Sequence, residues 1–135
     1  MRAIIAAVLL VAGGPALACG YCVEDKIAAT YDHAVVMQAF ARKHHVVFMH
    51  VDGAAPNRAV LERAAYGVPG VDGGSVRVAA DLLTLSFAYD PARATLGAIH
   101  ARIEKALAAQ RLSLMPFEVM ARPGDLKAIE AARLR

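Results

Sequence analysis

Val46-Val47-Phe48-Met49-His50-Val51, followed at once by Asp52-Gly53-Ala54-Ala55-Pro56, decides the fold of this 135-residue chain. The first six residues, rich in β-branched and aromatic side chains, read as a strand, and the Asp-Gly and Pro that follow stop it. Downstream, Asn57 is placed to cap a helix through Val60, Leu61, Ala64 and Ala65, which Gly67 and Pro69 end. Val71-Asp72-Gly73-Gly74 turns the chain. Ser75 to Ala80 and Leu83 to Tyr89 then read as two strands with alternating exposure, joined near Asp81-Leu82. Asp90-Pro91 reads as a helix start, with Asp as the cap and Pro at the first helical position. Leu96, Ile99, Ile103 and Leu107 mark the buried stripe of that helix, which reaches about Gln110. Leu112 to Met120 is the last strand, and Pro116 inside it suits an edge position.

Upstream, Val23 to about Arg42 reads as one helix. Ile27, Thr30, Tyr31, Ala34, Met37, Gln38 and Ala41 follow a three-and-four spacing, and Val35, Val36 and Phe40 widen the apolar face. Glu24 and Asp25 suit the positive end of its dipole, and Arg42, Lys43, His44 and His45 the negative end. From His45 the order is β-α-β-β-α-β, preceded by this extra helix. That is an α+β, ferredoxin-like arrangement, an antiparallel sheet with two helices on one face. The pattern leaves open whether the extra helix lies across the sheet's other face or stands off it. Residues 45–122 form the domain, and residues 123–135 are a tail with a short helix from Asp125 to Leu134.

Composition narrows the function. Hydrophobic residues make up 58% and mean hydropathy is +0.43, both raised by the first eighteen residues. With no Trp, the core must be built largely from Val, Leu, Ile and Ala. Without Arg2, 14 basic and 12 acidic residues remain, dispersed along the chain. A nucleic-acid binder would show a basic stripe or patch, and none is present. Carboxylates are scattered, and there is no phosphate loop, serine-nucleophile motif or His-x-x-x-His pair, so the chain does not read as an enzyme.

The first eighteen residues read as a secretory signal: Met1-Arg2, an apolar run from Ala3 to Ala12, the breaker Gly13-Gly14-Pro15, and small residues at Ala16 and Ala18 for the cut. The run is too short for a stable membrane anchor. Export to the periplasm is the expectation, with an uncleaved anchor as the alternative. Ala18-Cys19 also fits a lipoprotein signal, although Ala16 stands where such signals usually carry Leu. Lipidation would attach the chain to a membrane and remove the Cys19 sulfur as a ligand.

The strand Val46 to Val51 with Gly53, the link Val68-Pro69-Gly70-Val71, the strand Ser75 to Ala80, and Leu83-Thr84-Leu85-Ser86-Phe87-Ala88-Tyr89-Asp90-Pro91 running on toward Ile99 and Ile103 resemble the heavy-metal-associated domain family. That family comprises copper chaperones and the N-terminal domains of metal-transporting ATPases. The resemblance covers about residues 45–122, rests on topology and spacing, and implies a metal-trafficking type of fold. The family carries Met-x-Cys-x-x-Cys in the loop after the first strand. Here that loop, Val51 to Asn57, holds neither Cys nor Met, so the family's ligands do not transfer.

The two cysteines instead form Cys19-Gly20-Tyr21-Cys22 at the head of the N-terminal helix, residues 19–44. Thiols there meet the positive end of a helix dipole, which favours the thiolate. Three readings stand. A local disulfide would close only a tiny loop and stabilise little. A redox dithiol in the thioredoxin manner would want a preceding strand, which Cys19 lacks. A soft-metal site needs only two thiolates for nearly linear Cu(I), whereas structural zinc needs four ligands. Cleavage after Ala18 would add the Cys19 α-amine as a donor. His33 shares a helical face with Cys22, but eleven residues separate them by about 16 Å along one straight helix. His50, at the strand end, is another distant donor. His44-His45 read as a solvated helix end, His100 as a packed side chain, and Met37, Met49, Met115 and Met120 as core filler. The sequence thus points to an exported soft-metal carrier using Cys19 and Cys22, with Cu(I) ahead of zinc and a metal-transport or redox protein as partner. The alternatives are a thiol-disulfide partner and an interaction module with a structural disulfide.

Overall fold

The computed structural model describes residues 22–54 and 56–133, so the expected signal sequence and Cys19 lie outside the described residues. The elements are α1 (Val23–Thr30), α2 (His33–Ala41), β1 (His45–Asp52), α3 (Arg58–Ala65), β2 (Arg77–Ala79), β3 (Thr84–Tyr89), α4 (Leu96–Leu107), β4 (Ser113–Met120) and α5 (Pro123–Arg133). Among the described residues the strands form one antiparallel sheet in the order β2-β3-β1-β4. With α3 linking β1 to β2 and α4 linking β3 to β4, this is the ferredoxin-like α+β fold expected from the sequence.

β1 is central and explains the opening stretch. Its odd residues Val47, Met49 and Val51 enter one core with Leu61 and Ala65 of α3, Ile99, Ile103 and Leu107 of α4, and Leu85 and Phe87 of β3. Its even residues Val46 and Phe48 enter a second core on the opposite face with Val36 and Ala39 of α2 and Ala88. A strand covered on both faces has no solvent face to be polar, so its sequence is a continuous apolar run. The N-terminal helices therefore lie across the sheet, which the helical pattern alone left open.

Three local expectations need correction. The segment from Val23 to Arg42 is two helices, not one. Asp32 breaks it: its Oδ1 accepts from the N–H groups of Ala34 at 3.0 Å and Val35 at 3.3 Å, the geometry of an N-cap. Its Oδ2 accepts from Arg77 Nη2 at 3.0 Å and Nε at 3.3 Å, which ties the break to β2. Helix α4 begins at Leu96 rather than at Pro91. Asp90 Oδ1 accepts from Ala92 N–H in a single turn, and Thr95 supplies the cap by accepting from Ala98 N–H at 3.1 Å.

The strand expected from Ser75 starts only at Arg77, because Gly73–Ser75 coils into a 3₁₀ turn. The Ser75 hydroxyl replaces the missing ladder there, accepting from Ala88 N–H at 2.8 Å and donating to the Asp72 carbonyl. Two further expectations fail on burial: β3, read as alternating, is buried at every position, and His45, read with His44 as a solvated helix end, is a buried residue of β1. The signals at Asn57 and Pro116 hold. Asn57 caps α3 by accepting from Ala59 N–H at 2.9 Å. Pro116 lies on the edge strand β4, where the pairing to β1 jumps from Glu118 to Pro116 and leaves Phe117 as a bulge.

Candidate metal centre

Cys22 is the N-cap of α1; its carbonyl accepts from Asp25 N–H at 3.0 Å and from Lys26 N–H at 3.2 Å, while its side chain makes no cap bond. The thiol is free and exposed. Glu24 and Asp25 occupy the first turn. Cys19, Gly20 and Tyr21 fall outside the described residues, so the second thiolate has no described position.

Two contacts fix how α1 lies on the sheet. Ser86 Oγ donates to the Thr30 carbonyl at 3.4 Å, and Lys26 Nζ donates to His50 Nδ1 at 2.6 Å. Ser86 pairs with Phe48 and Thr84 with His50, so α1 descends the sheet by one strand row pair between Thr30 and Lys26. Cys22, one turn before Lys26, therefore leads toward the sheet end where β1 runs into Asp52 and Gly53. Gly53 holds φ +133° there, and a Cβ on it would stand 2.8 Å from the Arg111 carbonyl. On the far side of His50, Met115 of β4 is its cross-strand partner and is 67% exposed.

A lysine ammonium can only donate, so His50 Nδ1 is the acceptor and carries no proton in this contact. In the neutral ring the proton then sits on Nε2. His50 in this state is an anchor for α1 rather than a metal ligand.

The remaining histidines have structural partners. His33 Nδ1 lies 3.2 Å from Tyr31 Oη and belongs to α2, so the shared helical face with Cys22 does not exist. His44 faces Asp72 and Asp90. His45 is buried against Tyr89, with Nδ1 3.4 Å from the phenol oxygen and the rings edge to face. Burial pushes the His45 imidazole below its ordinary range; the negative Asp125 opposes this and His44 adds to it. His100 Nε2 donates to the Leu114 carbonyl at 2.7 Å, as expected of a packed histidine. Of the methionines, Met49 is core, while Met37 and Met115 are exposed.

Among the described residues no group of three or more His, Cys, Asp or Glu side chains is arranged to hold a metal ion. A four-ligand zinc site is therefore not formed by these residues. Cys22 alone offers a soft thiolate here, and a two-coordinate site would take its second donor from Cys19. The Lys26–His50 contact, which aims Cys22, escaped the sequence reading. Its legible half was Lys26 four residues after Cys22, one helical turn away; its partner twenty-four residues on was not.

The chain matches no protein-family model and no curated protein. Among solved structures it is similar to a copper-binding domain from HMA7, a P-type ATPase, at 20% identity and a TM-score of 0.46, over 56% of this chain and 96% of that one. The fold assignment stands on this chain's own strand order and crossovers. Among the described residues no helix is long and apolar enough to cross a membrane.

Proposed function

We propose that this protein is an exported, periplasmic carrier of a soft metal ion, Cu(I) first, bound between the thiolates of Cys19 and Cys22. The observation that carries the reading is the placement of Cys22, a free, exposed thiol at the head of a helix anchored across the sheet through Lys26 and His50. Two thiolates meet the nearly linear preference of Cu(I) without further protein ligands. An exposed thiol suits hand-over of the ion to a second thiolate protein, such as a metal transporter or a redox partner. The reading assigns binding and transfer, not catalysis, and it keeps the chain off the membrane unless Cys19 is lipidated.

The test is a Cu(I) titration of the reduced, exported protein against a competing chelator. One ion should bind tightly, and Cys22→Ser should abolish that binding. Binding indifferent to Cys22→Ser would overturn the proposal. Intact mass of the same sample identifies the first residue and any acyl group on Cys19.

A further inference from the structure

A groove of about 420 Å³ runs between α2 and the turn Val71–Ser75, with Ala88 of β3 in its floor. That volume falls among small-molecule sites, which span about 300–1,000 Å³. Ala88 pairs with Val46, so the groove lies where β1 begins, whereas Cys22 leads toward the end of β1 at Asp52. It is a place apart from the thiol, and metal binding there makes no use of it.

The polar groups of the floor are already spent within the fold. Ala88 N–H donates to Ser75 Oγ at 2.8 Å, the Ser75 hydroxyl donates to the Asp72 carbonyl, and Asp72 N–H donates to the Ala88 carbonyl at 2.9 Å. Val35, Ala39 and Val71 add apolar lining. The open polar groups stand on the two walls. Gln38 and Arg42 of α2 are one turn apart and share a face. Among the described residues neither side chain has a hydrogen bond or an ion pair. On the turn, Asp72 Oδ2 is held by His44 Nδ1 at 2.7 Å, and Oδ1 has no partner among the described residues. Arg42 and Asp72 thus carry opposite charges on facing walls without pairing with each other. Gly74, beside them, has no positive φ, and a Cβ on it would meet nothing within 4 Å. The fold does not need glycine there, and the bare backbone lets a ligand approach closely.

We infer that this groove binds a small zwitterionic amino compound, either a free apolar α-amino acid or a short peptide with free termini. Its carboxylate accepts from the Arg42 guanidinium and the Gln38 amide, and its ammonium donates to Asp72 Oδ1. Its apolar side chain covers Val35, Ala39 and Val71. A ligand with one charge satisfies one wall and strands the other, so both charges are needed for full affinity.

The experiment follows backbone amide shifts of the full exported chain by heteronuclear NMR. The probes are leucine, leucyl-leucine, isocaproate, which lacks the ammonium, and isoamylamine, which lacks the carboxylate. Leucine or leucyl-leucine should shift the Ala39, Gly73, Gly74 and Ala88 amides with a midpoint in the millimolar range or tighter. Whichever of the two binds more tightly identifies the source as amino acid or peptide. Isocaproate and isoamylamine should each bind at least about tenfold more weakly, the loss of one charge-assisted hydrogen bond. Arg42→Gln, at an exposed position, and Asp72→Asn, which keeps the side chain's shape, should weaken the zwitterion by a similar factor. Groove amides unmoved by both zwitterions, equal binding of isocaproate, or indifference to Arg42→Gln would overturn the inference. None of these results bears on the Cu(I) titration, which reads a different end of the sheet.

Discussion

Replacing Ser75 by Ala tests how the sheet is completed at the end of β3. The Ser75 side chain is buried, and its Oγ is the acceptor for Ala88 N–H at 2.8 Å, a group only 1% exposed. Alanine removes the Oγ and leaves the Ala88 N–H without that acceptor. An orphaned buried donor costs about 1–3 kcal/mol. At about 4 °C per kcal/mol for a domain of this length, Tm should fall by about 4–12 °C. Urea denaturation at fixed pH should show a lower midpoint with an unchanged slope, and the Ala88 amide should exchange faster than in the wild type. Ser113→Ala, at an exposed serine, should stay within about 0.5 kcal/mol of the wild type. If Ser75→Ala matches that control, the hydroxyl does not stand in for the ladder, and the reasoning about the 3₁₀ turn fails.

Other consequences are equally open to measurement. Leu61→Ala empties a fully buried site between α3 and the sheet and should cost about 2–5 kcal/mol in chemical denaturation. His45 is held below its ordinary range, so the folded chain binds fewer protons than the unfolded one near pH 6. Its contribution to stability is present above about pH 6.5, the unfolded value, and is lost as pH falls toward the lower folded value. His45→Gln should flatten that part of the stability profile measured between pH 8 and pH 5. The Arg77 hydrogen bonds, joined by the Val35 N–H, hold the Asp32 carboxyl below its ordinary range, so its contribution is lost as acid titrates it. Asp32→Asn should remove that acid-side loss while retaining the helix cap, and an unchanged acid limb in urea titrations would refute the pairing.

Much of the fold is legible in the sequence because the strands differ from the helices in period. Val46 to Val51 and the Leu96-Ile99-Ile103-Leu107 stripe encode burial directly, whereas the alternation read through Leu83 to Tyr89 does not, because β3 is buried at every position. The misplaced boundaries arise where two caps compete. Asp32 sits in a good helical stripe, yet its carboxylate satisfies two N–H groups and Arg77 together, which outweighs continuing the helix. Asp90-Pro91 forms a valid turn, but Thr95 lies next to Leu96, the first residue of the stripe, and takes the helix start. The site is less legible. Cys22 is visible as chemistry, but its aim depends on Lys26 meeting His50 across the sheet, and no local pattern encodes that pairing.

The bulge at Phe117 and the proline beside it bear on how the chain behaves at high concentration. An open strand edge is a template on which a second copy can extend the sheet. On β4, Pro116 offers no N–H and the bulge breaks the pairing register, so the eight-residue edge is cut into two short pieces. The opposite edge, β2, is three residues long and is followed directly by a turn. Neither edge presents an unbroken row of donors and acceptors for edge-to-edge self-association. That protection matters most at high concentration, where a second copy would otherwise compete for the open edges.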